Sequence, residues 1–147
     1  MSQELYQQII LEHNKKPRNF GKMENATYIS EGFNPLCGDH FWIYLKMDGN
    51  KIADVSFEGS GCAISKASAS MMTMQLKDQT IEHAEDIIKN FQGLVKGELS
   101  AADAKEKLGR LSIFSNIWQY PSRVKCAVLA WHAASGAFQN KKTVSTE

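Results

Sequence analysis

Gly59-Ser60-Gly61-Cys62-Ala63-Ile64-Ser65 joins two stretches of different period. Upstream, Ile52 to Glu58 reads as a strand; downstream, small and apolar residues follow helical spacing to about Lys77. Glycines at such a corner permit left-handed dihedrals and a close approach of the backbone to another group. Cys62 then stands at a helix N-terminus, where free N–H groups and the positive end of the dipole favour a thiolate. A thiolate there can hold a soft metal or a sulfur atom, and the competing reading is an inert, buried structural cysteine.

Working outward, His40 to Met47 alternates, with Phe41, Ile43, Leu45 and Met47 on one side. Asp48-Gly49-Asn50 is a hairpin turn, after which Ala53, Val55 and Phe57 continue the apolar face. A first strand is predicted over 26–31, and Asn34-Pro35-Leu36-Cys37-Gly38-Asp39 is a turn-rich loop. Helices are predicted from Ser2 to Lys16, which Pro17 ends, and after Cys62. Others run from the Thr80 cap to Gly93, from the Ser100-Ala101-Ala102-Asp103 capping box to Leu108, and from Arg123 to Asn140. Leu111 to Tyr120 is apolar but irregular, and the tail from about 141 is polar and expected to fray. The expected fold is α+β, a three-stranded antiparallel sheet packed with about five helices in one domain spanning 1–147.

Length and composition agree with a single ordinary core: 147 residues, 43% hydrophobic and 22% charged. A formal net charge of +1 gives no electrostatic reason to expect nucleic acid as a partner. No apolar run approaches the roughly 20 residues of a membrane helix, and the first residues lack the pattern of a signal peptide. The expectation is a cytoplasmic chain without nucleic-acid or membrane partners. Its odd number of cysteines suits a reducing compartment.

Cys37 precedes one strand and Cys62 follows the next, with a single hairpin between them, so both thiols can lie at the same sheet edge. Cys126 falls in the predicted first turn of the last helix. If that helix starts at the same edge, three sulfurs converge. Asp39, separated from Cys37 by Gly38, can supply a fourth donor; its bland alternative is a turn residue. Three thiolates and a carboxylate suit zinc, which accepts sulfur and oxygen donors tetrahedrally, or an iron–sulfur cluster, which prefers sulfur. Arg123 and Lys125 flank the third cysteine and are placed to offset negative charge. His40 competes as a donor, but strand alternation turns it away from Phe41. His13, His83 and His132 have no cysteine nearby and read as packed or solvated, and the methionines after Cys62 read as packing.

Four segments together resemble a known family: Lys16-Pro17-Arg18-Asn19, Asn34 to Asp39, Phe57 to Ser68, and Arg123-Val124-Lys125-Cys126-Ala127-Val128-Leu129-Ala130-Trp131. The chain resembles the SUF-type, SufU-like branch of the NifU/IscU-like iron–sulfur assembly proteins over nearly its whole length. The resemblance implies a SufE/NifU-like fold and one exposed site with Cys37, Asp39, Cys62 and Cys126 as ligands of Zn(2+). It implies a pyridoxal-phosphate cysteine desulfurase as partner, Cys37 as the thiol that accepts persulfide sulfur, and downstream iron–sulfur assembly proteins or apoproteins as recipients. Lys125 stands where the IscU type has a histidine, and the stretch from Cys62 to Cys126 is longer than in that type; both features fit the SUF branch.

The leading expectation is therefore a zinc-bound sulfur relay, an accessory to a desulfurase rather than a free-standing enzyme. A scaffold carrying a transient 2Fe-2S cluster on the same ligands is the alternative, and a structural zinc module a distant one. A zinc deaminase is disfavoured, because neither H-x-E nor P-C-x-x-C occurs.

Overall fold

The computed structural model describes residues 3–140 and 142–146. The first helix, α1 (Gln3–Lys15), precedes three strands, β1 (Tyr28–Asn34), β2 (Asp39–Asp48) and β3 (Lys51–Ser60). Four helices follow: α2 (Ala63–Leu76), α3 (Ile81–Val95), α4 (Ala101–Leu108) and α5 (Pro121–Phe138). Two 3₁₀ turns, Gly109–Phe114 and Ile117–Gln119, occupy the irregular stretch before α5, and a short β4 (Thr143–Ser145) comes last. The predicted helix start at Ser2 lies outside the described residues.

The α+β class stands, but the sheet has a fourth strand and is mixed. Its order is β3-β2-β1-β4, with β4 parallel to β1 and the other pairs antiparallel. The tail expected to fray instead docks on the open edge of β1. Glu31 N–H donates to Lys142 O at 2.7 Å and Thr146 N–H to Phe33 O at 3.2 Å. A three-residue polar strand carries no period-two apolar signal; the unpaired backbone groups of an edge strand specify it.

Phe41, Ile43 and Leu45 on β2 and Val55 and Phe57 on β3 are fully buried, as alternation requires. Ala53 does not join them. The β2–β3 register slips between Lys46 and Met47, so Met47 pairs with Ile52, and Ile52 is the buried residue. A bulge adds one residue and reverses the alternation beyond it.

α2 and α5 pack against the sheet and against each other. Small residues on α2 permit the approach, and Ser68 fastens it: its hydroxyl accepts from Trp131 Nε1 at 2.9 Å and donates to Ala127 O at 2.6 Å. Trp131 is fully buried and stacks on Phe91 with ring centroids 4.2 Å apart. Met71 and Met72 fill the core, and Met74 is exposed. His13 is buried with Nδ1 2.7 Å from Ser70 Oγ, His83 is exposed and His132 half-buried. α5 begins at Pro121 rather than Arg123, since proline's fixed φ suits the first helical position. Cys126 therefore lies in the second turn of α5, not the first.

Candidate metal and sulfur centre

β1 runs to Asn34 and β2 starts at Asp39, which shortens the expected loop to Pro35–Gly38. Gly38 takes φ +73° and donates its N–H to Asn34 O at 2.9 Å, closing the turn. Period-two alternation places Asp39 on the face of Phe41 and Ile43, and its side chain is fully buried. Both carboxylate oxygens are held. Asn34, its direct cross-strand partner, donates from Nδ2 to Oδ2 at 3.0 Å, and Cys62 N–H donates to Oδ1 at 2.8 Å. No cationic side chain pairs with Asp39 among the described residues. Asn34 Nδ2 also reaches Cys126 Sγ at 3.7 Å, while its Oδ1 is buried without a partner.

The glycine corner makes the Cys62 contact possible. Gly59 has φ +131°, and a Cβ there would fall 2.1 Å from His40 O. A Cβ on Gly61 would fall 2.6 Å from Asp39 Oδ1 and 2.7 Å from Ser65 Oγ. Any side chain at Gly61 would occupy the space that the carboxylate fills.

Ligand atoms of Cys37, Asp39 and Cys126 lie within 4.8 Å of one another, and the Cys126 thiol donates to Cys37 Sγ at 3.3 Å. The expected fourth ligand, Cys62, is not among these three; it adjoins them through its N–H on Asp39 Oδ1 and, as the N-cap of α2, its sulfur accepts from Ser65 N–H at 3.4 Å. A hydrogen bond with Cys126 is the main cause that lowers the Cys62 pKa to about 6; burial opposes it, the Ser65 hydroxyl and N–H assist, and the Asp39 charge opposes. Cys126 is correspondingly raised, by the bond to Cys62 first, then by burial and the bond to Cys37. The direction of the Cys62 shift is the one expected at the corner, though the neighbouring Cys126 thiol contributes more than the Ser65 hydroxyl and N–H. Exposure is graded: Cys37 exposed, Cys62 half-buried, Cys126 buried.

This donor set fits a metal cation. A fully buried carboxylate without a counter-charge is costly, and an unpartnered amide oxygen sits beside it. Sulfur and oxygen donors together suit tetrahedral zinc. His40 is turned away as alternation requires, its ring stacked on Trp42 at 4.3 Å and paired with Glu31. The Arg123 guanidinium lies 4.6 Å over the Tyr120 ring. Asn34 and Ser65 were invisible as site residues in sequence. Asn34 stands before Pro35 and reads as turn chemistry, and Ser65 is one of several serines in α2.

The NifU-like N-terminal domain model matches residues 5–127. The zinc-dependent sulfurtransferase SufU of Bacillus subtilis is 40% identical over 88% of this chain and 86% of its own length. The iron–sulfur cluster assembly scaffold protein IscU of Thermotoga maritima is 36% identical over 92% and 93%. A crystal structure from Fervidobacterium islandicum, described as a SUF-system assembly scaffold, superposes with TM-score 0.84 at 37% identity, covering 93% of this chain and 98% of that one. Family match, relatives and fold agree with the four-segment resemblance, and the chain belongs to the NifU-like N-terminal domain family of iron–sulfur cluster assembly proteins, on its SUF-type branch.

Proposed function

We propose that this protein is a zinc-bound sulfur relay that accepts sulfane sulfur on Cys37 from a pyridoxal-phosphate cysteine desulfurase and hands it to downstream iron–sulfur assembly proteins or apoproteins. The graded exposure of one cluster carries the reading: a buried carboxylate and a buried thiol stand behind a single exposed thiol. Zn(2+) would be held by Cys37, Asp39, Cys62 and Cys126, and when bound it keeps the sulfurs deprotonated and shields them from oxidation.

The chain's own residues supply the rest. Gly38 lets the loop tip turn outward with Cys37, and Leu36 beside it is 61% exposed, an apolar contact for a docking partner. The Cys37 thiolate attacks the outer sulfur of the desulfurase persulfide. A new S–S bond forms at Cys37, the desulfurase S–S bond breaks, and its cysteine leaves as thiolate; the proton stays on the transferred sulfur, so nothing is oxidised or reduced overall. Asn34 and Cys62 N–H keep Asp39 in place meanwhile. On this reading the protein acts as a desulfurase accessory in a reducing cytoplasm, where its three cysteines stay out of disulfides.

Incubation with a cysteine desulfurase and cysteine is expected to add one sulfur to the Cys37 peptide by mass spectrometry. Cys37→Ser is expected to abolish stimulation of the desulfurase, and undiminished stimulation would remove Cys37 from the accepting role. The likeness to scaffold-named IscU proteins favours a second reading, assembly of a 2Fe-2S cluster on the same ligands. Anaerobic reconstitution separates the two: a stable chromophore in the presence of zinc supports the scaffold, and its loss to zinc supports the relay.

A further inference from the structure

Apart from the thiols, α1, α4, the 3₁₀ turns and the start of α5 line a half-open cavity of about 750 Å³. That volume is typical of small-molecule sites. Leu5, Ile113 and Ile117 give it apolar walls, and Lys105 and Arg123 also line it. No acidic residue lines it, and among the described residues no carboxylate pairs with Lys105 or Arg123. Stacking on Tyr120, another wall residue, holds the Arg123 guanidinium. The first turn of α5 contains no acid and no side-chain cap, so its positive dipole end adds to both charges.

An independent observation also points to a ligand. Ser112 is only 6% exposed and lines the cavity, yet its hydroxyl bonds to no described group; only its carbonyl is used, by Ser115. That hydroxyl is therefore available to a group bound in the cavity.

We propose that this cavity binds a small organic anion, its carboxylate or phosphate head on Arg123 and Lys105 with Ser112 as a further hydrogen-bond partner, and its apolar body against Leu5, Ile113 and Ile117. The site is separate from the thiols: none of Cys37, Cys62 and Cys126 lines it.

The test uses the full zinc-loaded chain with anilinonaphthalene sulfonate as a fluorescent probe and benzoate and inorganic phosphate as competitors. Saturable binding of one probe per chain is expected, with amide NMR shifts at Ile113, Ile117 and Arg123. Displacement by benzoate identifies a carboxylate head with an apolar body, and displacement by phosphate alone identifies a phosphate head. The Lys105→Gln/Arg123→Gln double variant, altered only at exposed side chains, is expected to bind about tenfold more weakly with an unchanged circular dichroism spectrum. Unchanged affinity in that variant overturns the proposal. Shifts confined elsewhere in the wild-type chain, for instance around exposed Leu36, overturn it without relying on any variant.

Discussion

Asn34 and Asp39 face each other across the mouth of the loop that carries Cys37, and the Asn34 amide donates to Asp39 Oδ2 at 3.0 Å while reaching Cys126 Sγ at 3.7 Å. One side chain thus aligns two candidate ligands from different ends of the chain. Partners of this kind fix the orientation of metal ligands and tune their basicity. Asn34→Ala is expected to weaken zinc binding about 10–100-fold, measured by competition with a chelator. Its effect on metal-free stability should be smaller, because the substitution also removes the buried unpaired Oδ1. Unchanged zinc affinity would show that Asn34 does not position the ligands.

The Cys62 thiol has an ordinary value of 9.0, which the fold lowers to about 6. Its stabilising contribution is therefore fully present above about pH 9 and is lost as pH falls through about 6. In metal-free protein, alkylation of Cys62 by iodoacetamide should follow a midpoint near 6, read by mass spectrometry of the Cys62 peptide. Cys126→Ala removes the principal cause and should move that midpoint up. A midpoint that stays near 6 would assign the effect to Ser65 and the helix end instead.

Gly61→Ala sets a methyl group against Asp39 Oδ1, Ser65 Oγ and the Phe41 ring, at 2.6, 2.7 and 2.9 Å. Overpacking of this kind costs about 1–3 kcal/mol, a fall of several degrees in Tm. The same displacement should loosen zinc, so calorimetry of the metal-free protein and chelator competition should move together.

Ending the chain at Asn140 removes β4 and the carbonyl that accepts from Glu31 N–H. That amide should then exchange with solvent roughly five- to tenfold faster. Amides of β2, paired on both sides by β1 and β3, should hardly change. Hydrogen-exchange mass spectrometry of the two strands makes the comparison internal to one sample.

The sequence by itself determined what is encoded over a few residues. The Asp48-Gly49-Asn50 hairpin, the Thr80 and Ser100 caps, the glycine corner before Cys62 and the core face of β2 each follow from backbone preference or a short period. Tertiary structure decided what joins distant segments: the docking of β4, the bulge at Ala53, the Asn34–Asp39 pair, the turning of Arg123 onto Tyr120, and the opposite directions in which the Cys62 and Cys126 pKa values move. Three cysteines look alike in sequence. Their burial and their neighbours at hydrogen-bond range differentiate them, and both depend on segments dozens of residues away.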